Sequence, residues 1–425
     1  MRMRRPNVVL LVVDTLREDH AGPLDELLGM GFVRYSNAIA PSPWTLPSHV
    51  SMFTGLNPGA HGVHESYSGQ AALAESAVEG MRRLGHGVLG ELMDEGYSSY
   101  FLTANLYITP HFGFERYTEH LVASPYLPEA LEWGRFSRLV GSLFSGGGYV
   151  SLARDFLSVG EGGLLARAIL RGIRLRMGLG MLDKGSRALL RALEGMELSE
   201  PFLLFVNLME AHEPYTPGDL SGALSSEASF SSIFEGRVPD RAASIWRRQY
   251  PRHARAAADR ALEFVRALGR LLRDSVVIVT SDHGQLIGDG GIGHGYFLSD
   301  GLLRVPLYVR WPDWMDAPRQ VGRYVSLAQV PSMIRSAMEG RSPGLGSDVA
   351  IAESFGPVSL PRDWRRRVSR GAAREAFSHR VKVYVRGGSF TYNASADRLE
   401  EAVGVDRADA YAALRRLELQ QLAGA

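Results

Sequence analysis

The chain of 425 residues contains no cysteine, which excludes disulfides, thiolate nucleophiles and cysteine-ligated metals. Lysine is nearly missing as well: Lys184 and Lys382 stand alone among 47 basic residues. An arginine bias of this kind fits a thermophile or a GC-rich genome. Neither sign of charge dominates, and a net charge of +1 gives no bulk electrostatic ground for binding nucleic acid or an anionic membrane. No stretch approaches the ~18 to 20 apolar residues needed to span a bilayer. The start Met1-Arg2-Met3-Arg4-Arg5 before an apolar run resembles a signal peptide, but the run is short, lacks a small-residue cleavage site and ends at Asp14. It is read as the first core strand, and a soluble, cytoplasmic protein is expected.

What the chain does have is an ordinary globular composition, 45% hydrophobic and 22% charged. Its length suffices for one large α/β domain and a small second one. Val8–Val13 and Val276–Ser281 are continuous β-branched runs, which read as strands buried on both faces. Further strands are expected at 98–103, 202–208 and 305–309. Helices are expected from about Glu18, at 48–56 with Gly55 as its stop, through Leu89–Asp94, and at 253–273. Residues 128–200 are helix-rich and broken by glycines, and are expected to form a helical insertion or cap. From about 342 the pattern shifts to short strands (350–355, 381–385, 389–393) and terminal helices. The expected division is therefore a large α/β domain over 1–341 and a small α+β subdomain over 342–425.

Chemistry gathers at the strand ends. Asp14 closes the first run, and Asp282-His283 closes the run ending at Ser281. Ligands of open α/β sheets bind at the carboxyl ends of parallel strands. Two carboxylates, an imidazole and a hydroxyl at such ends suit a divalent cation acting on a phosphate or sulfate ester. The hydroxyl is sought in Thr45-Leu46-Pro47-Ser48-His49-Val50-Ser51-Met52-Phe53-Thr54-Gly55. A threonine at a helix start aims its hydroxyl along the positive end of the helix dipole. An ordinary N-cap threonine with Pro47 in the first turn has the same appearance.

That segment resembles the nucleophile motif of sulfatases and their relatives in the alkaline phosphatase superfamily, with Thr45 on the nucleophile position and His49 where arginine is usual. Four further segments are similar to the same family in the same order. They are Val12–His20, Asn105-Leu106-Tyr107 with Phe112-Gly113-Phe114, Glu210-Ala211-His212-Glu213-Pro214-Tyr215, and Ser281-Asp282-His283-Gly284 with Gly293-His294-Gly295 and Leu303–Leu307. The resemblance spans residues 7 to about 312. It implies a central, mostly parallel sheet flanked by helices, and one metal held by Asp14, Thr45, Asp282 and His283.

Two departures matter. A threonine cannot be oxidised to the formylglycine aldehyde of type I sulfatases, and Thr15 stands where many sulfatases carry a second aspartate. The resemblance therefore implies the threonine-nucleophile branch: a hydrolase of phosphoric esters, diesters before monoesters, working through a covalent phosphothreonine. A phosphoglycerol- or phosphoethanolamine-type transferase is the alternative, as is a sulfatase-family protein acting on sulfate esters without formylglycine. The oxygen and nitrogen donors suit Zn²⁺ or Mn²⁺ better than Ca²⁺. His212 and His294, with Glu210, are candidates for a second ion, or else for contacts to the ester and protonation of the leaving group. His49 and Asn105 are candidate substrate contacts. Arg17 and His20 are expected to be solvated loop residues, as is the run Arg362, Arg365, Arg366, Arg367 and Arg370. Glu213 and Asp289 receive no role. The expected substrate is a small molecule, a glycan or a lipid headgroup ester.

Overall fold

A computed structural model describes residues 5–144, 148–316 and 323–423. Its centre is an eight-stranded sheet. The strands are β1 (Asn7–Val13), β2 (Val33–Arg34), β3 (Ser98–Thr103), β4 (Glu119–Val122), β5 (Leu131–Glu132), β6 (Phe202–Leu208), β7 (Ser275–Thr280) and β8 (Leu307–Arg310). They run in the order β2-β8-β7-β1-β6-β3-β4-β5. The inner five, β7, β1, β6, β3 and β4, are mutually parallel, whereas β8, β2 and β5 pair antiparallel at the edges. Every residue of β1, β6 and β7 is buried, as expected for strands covered on both faces.

The two faces of the sheet bury separate cores. On one, Val8, Leu10 and Val12 meet Trp44 and the residues Leu46, Val50 and Phe53 of α1 (Thr45–Thr54). On the other, Val9, Leu11 and Val13 meet Trp246, Tyr250, Ala254 and Ala258. These last belong to a helix of 28 residues, Asp240–Ala267, that continues through Pro251. The sequence pattern placed its start only at 253 and its end at 273; residues Gly269–Asp274 form a separate 3₁₀ turn. The segment from Glu18 likewise folds as 3₁₀ turns rather than an α-helix.

Between β5 and β6 lie α2 (Trp133–Phe144), α3 (Tyr149–Ser158), α4 (Gly162–Arg176) and α5 (Ser186–Gly195). The first three share a small core with the β4–β5 edge, built of Val122, Leu127, Leu131, Phe136, Leu139, Phe156 and Leu164. The long helix after them is α6 (Asp240–Ala267). Near the C-terminus a second sheet is antiparallel throughout: β9 (Val349–Ser354), β10 (Arg380–Val385), β11 (Gly388–Asn393) and β12 (Arg398–Val403). Its fourth strand is charged at three of six positions and mostly exposed, so no apolar alternation announced it in the sequence.

Burial gives the fold an acid-sensitive element on β4. His120 is fully buried, with ring centroids 5.3 Å from Phe101 and 5.2 Å from Tyr117. Burial pulls it from an ordinary 6.5 down to about 3. Below pH 6.5 the unfolded chain takes up a proton that the folded chain refuses. Stability from this group is therefore full above that pH and declines by about 1.4 kcal/mol per unit as pH falls. His120→Phe keeps the aromatic packing and deletes the titration. Its melting temperatures at about pH 7.5 and about pH 5 should lie closer together than those of the wild type. An unchanged gap would show that His120 is not a source of the acid sensitivity.

Candidate active site

The carboxyl ends of β7, β1, β6 and β3 lie side by side, and each is followed by a polar residue that the site uses. Asp14 follows β1, Asp282 and His283 follow β7, Asn105 follows β3, and His212 and Glu213 follow β6. Across from them stands the first turn of α1. Thr45 is its first residue, with Trp44 as N-cap in extended conformation and Gly55 closing the helix at φ 79°. The helix thus begins three residues earlier than the sequence pattern suggested. Thr45 sits inside the positive end of the dipole.

The hydroxyl of Thr45 lies 3.3 Å from Asp14 Oδ2 and 3.3 Å from His283 Nε2. His283 Nε2 is 3.4 Å from Asp282 Oδ2 and 4.0 Å from Asp14 Oδ1. One ligand-capable atom from each of Asp14, Asp282 and His283 falls within 4.8 Å of the others, and all three residues are buried. Each carboxylate has one oxygen committed. Asp14 Oδ2 accepts from Asn105 Nδ2 at 2.7 Å, and Asp282 Oδ1 accepts from the backbone N–H groups of His283 and Thr15. Asp14 Oδ1 and Asp282 Oδ2 are buried without a hydrogen-bond partner. His283 Nδ1 meets the Gly284 carbonyl at 2.8 Å, so its proton belongs there and Nε2 offers a lone pair.

These features fit a divalent cation. Burial pushes Asp14 and Asp282 above the ordinary carboxylate range, Asp282 further because it also faces the charge of Asp14. Burial likewise holds His283 well below its usual value, hence neutral. Two buried like charges with one bare oxygen each are stable only beside a positive partner. Two carboxylates, one imidazole and one hydroxyl offer the oxygen and nitrogen donors that such a cation takes.

Backbone strain supports the same spot. Thr15 is β-branched yet sits at φ 60°, a left-handed conformation such residues avoid. It is held by its N–H to Asp282, by its hydroxyl to the Asp14 carbonyl at 2.7 Å, and by Tyr250 donating to its own carbonyl at 2.7 Å. Gly284 is required for a different reason: a Cβ there would stand 2.1 Å from the Gly301 carbonyl oxygen.

A second group adjoins the first. The ring of His294 is 4.9 Å from that of His283 and 4.9 Å from that of His212. The carboxylate that joins His212 and His294 is Glu213, to which the sequence gave no role. Glu213 Oε2 lies 3.4 Å from His212 Nδ1 and 3.8 Å from His294 Nδ1, and accepts from Gln285 Nε2 at 2.6 Å. Gln285 Oε1 meets His294 Nδ1 at 2.8 Å. Burial alone would raise Glu213, but His212 and His294 hold it down at about 2. Burial lowers His294 to about 4, leaving it neutral. Glu210 is turned elsewhere: its Oε1 accepts from the backbone N–H groups of Lys184 and Ser186. Only the adjacency of Glu213 to His212 could have pointed to it.

The other candidates divide. Asn105 makes both a turn and a site contact, since its Oδ1 accepts from the Tyr107 N–H while its Nδ2 binds Asp14. His49 is fully buried with its ring edge toward Phe205; its Nδ1 meets the Thr45 carbonyl at 2.9 Å and lies 3.7 Å from Asp282 Oδ2. Arg17 is not a solvated loop residue. It is buried and paired with Asp19 and Asp289, and it donates to the Gln285 carbonyl. In the C-terminal arginine run, Arg365 lies over the Tyr67 ring, and Arg367 pairs with Glu227 over the Phe230 ring.

The sulfatase family model matches residues 6–339, most of the chain. The chain belongs to the sulfatase family. Solved structures of the same superfamily share the fold over nearly the whole of this sulfatase-family chain. A phosphonate monoester hydrolase of Agrobacterium radiobacter is 19% identical with a TM-score of 0.56, the match covering 99% of this chain and 95% of that one. One from Silicibacter pomeroyi is 15% identical with a TM-score of 0.58, covering 99% and 95%. A 2-O GAG sulfatase is 12% identical with a TM-score of 0.57, covering 99% and 91%. Among curated proteins, none matches. Among the described residues of this sulfatase relative, no helix is long and apolar enough to cross a membrane.

Proposed function

We propose that this sulfatase-family enzyme is a metal-dependent hydrolase of phosphoric esters, diesters before monoesters, with Thr45 as the nucleophile. The observation that carries the reading is the Thr45 hydroxyl at a helix N-terminus, 3.3 Å from both Asp14 and His283 and beside two unpartnered carboxylate oxygens. Asp14, Asp282, His283 and Thr45 would hold the cation. When bound, it supplies positive charge that favours the alkoxide form of a hydroxyl which otherwise keeps its proton at neutral pH.

The rest is done by the chain. Thr45 Oγ1 attacks phosphorus in line and the ester's alkoxide leaves, giving a phosphothreonine; water then cleaves the new P–O bond and returns the hydroxyl. The N-terminus of α1 meets charge on the equatorial oxygens. His212 and His294, oriented through Nδ1 by Glu213 and Gln285, present Nε2 to the ester and can pass a proton to the leaving oxygen. Should a second ion bind, His212, Glu213 and His294, each with a ligand-capable atom within 4.8 Å of the others, are its candidate ligands. His49 steadies the first turn of α1 through the Thr45 carbonyl, and Asn105 fixes the Asp14 carboxylate.

The preference for diesters rests on charge. Among the described residues, no arginine or lysine side chain hydrogen-bonds to Thr45, Asp14, Asp282, His212, His283 or His294. A singly charged ester suits such a site better than a dianion. The phosphonate monoester hydrolases and sulfatases that share the fold act on esters of comparable charge, and sulfate esters remain the competing substrate class. Purified protein with Mn²⁺ or Zn²⁺ should hydrolyse an aryl phosphodiester at least about tenfold faster, in kcat/KM, than the matching aryl monoester or sulfate. A sulfate preference would overturn the assignment. Product appearing on added glycerol would show transfer in place of hydrolysis.

A further inference from the structure

One helix exposes what soluble helices bury. On α4, Ile169, Leu170, Ile173 and Met177 are 55%, 59%, 50% and 69% exposed. Residues 169, 173 and 177 repeat every four positions and 170 lies beside them, so the four form one stripe of roughly 100° of arc. Leu164 and Leu175, the residues by which the helix is anchored, lie on roughly the opposite side. Leu179 and Leu182 continue the exposed apolar surface beyond the helix.

Charge singles out what this stripe fits. From Gly162 to Leu182 there is no acidic residue, but there are four arginines, in a chain whose total charge is only +1. At about 100° per residue, Arg167 and Arg174 fall along one border of the stripe and Arg176 along the other, while Arg171 lies on the anchored side. Arg171 is tied to the Pro125 carbonyl and lies 3.7 Å from Asp183. Arg167, Arg174 and Arg176 have no acidic partner among the described residues. A second copy of the chain seated by a twofold on this face would set the arginine row against itself. An apolar stripe bordered by unneutralised guanidinium groups is the surface of an interfacial helix, whose apolar side enters the acyl boundary while arginine meets lipid phosphate.

We propose that α4 docks this enzyme on an anionic lipid surface. The docked segment adjoins the active-site surroundings: α4 lies against the turn Pro217–Asp219, and Lys184 and Ser186 hold Glu210, two residues before His212. The proposal concerns attachment and stands apart from the choice of ester.

The test is co-sedimentation of the full chain with vesicles of phosphatidylcholine alone, and of phosphatidylcholine with phosphatidylglycerol in equal parts. Binding is expected to the anionic vesicles only, to weaken with added salt, and to fall by at least about tenfold in the double variant Ile169→Glu, Ile173→Glu. Both side chains are exposed and outside the catalytic machinery, so circular dichroism and hydrolysis of a water-soluble ester should be unchanged. Equal binding by the double variant would overturn the proposal, as would no binding by the wild type. Self-association of the wild type that the variant abolishes, without vesicle binding, would assign the stripe to a second copy instead.

Discussion

Thr45→Ala should lower kcat by at least about 10⁴-fold while changing KM little, because the substitution removes the attacking atom and leaves the surrounding donors in place. Thr45→Ser should restore most of the rate, since Oγ is retained and only a methyl group is lost. The position tolerates both changes structurally: α1 is anchored by Leu46, Val50 and Phe53 in the core, and its first turn has no side-chain cap to lose. Acid quenching during turnover should leave an ester-sized added mass on the peptide containing Thr45. An alanine variant that turns over the preferred ester as fast as the wild type would remove Thr45 from the mechanism and leave the strand-end cluster without its nucleophile.

Asp282→Asn should separate stability from activity. In the metal-free chain Asp282 faces Asp14, with Oδ2 buried and unpartnered. Asparagine keeps the oxygen that accepts from Thr15 and His283, and turns an amide toward His283 Nε2, 3.4 Å from the present Oδ2. Removing one of two opposed buried charges should stabilise the protein in chelator by about 1–3 kcal/mol. Added Mn²⁺ or Zn²⁺ should then raise the melting temperature of the wild type markedly and that of the variant hardly at all, because a ligand that binds only the folded state stabilises it in proportion to its affinity. Equal metal-induced shifts in the two proteins would show that Asp282 does not hold the ion.

What could be read from the sequence follows from how strongly each element constrains its residues. β1, β6 and β7 were legible because burial on both faces demands unbroken apolar runs, and the polar residues ending them mark the site. The short strands β2, β4 and β5 are two to four residues long and leave no comparable imprint. The long helix α6 was cut short because Pro251 removes a backbone donor, a penalty that its buried neighbours Trp246, Tyr250 and Ala254 offset. His49 lies one turn after Thr45, which suggested that it faces the site and touches substrate. At a helix start, however, the Thr45 carbonyl is within reach, and it captures the imidazole. Glu210 and Glu213 could not be told apart from sequence. After β6 the chain turns, strand alternation no longer says which side chain faces inward, and only the distances place Glu213 with the histidines.

The small C-terminal sheet has a consequence for Thr45, far from it in sequence. Residues just beyond β9 reach back toward the start of α1: the Phe355 N–H donates to Glu65 Oε1 at 2.6 Å, while Glu65 Oε2 accepts from Trp44 Nε1 at 2.5 Å. Glu353, on β9 itself, accepts from the Gly59 N–H at 2.7 Å. Trp44 is the residue immediately before Thr45. The C-terminal sheet is thus joined through the single Glu65 carboxylate to the residue on which Thr45 is hinged.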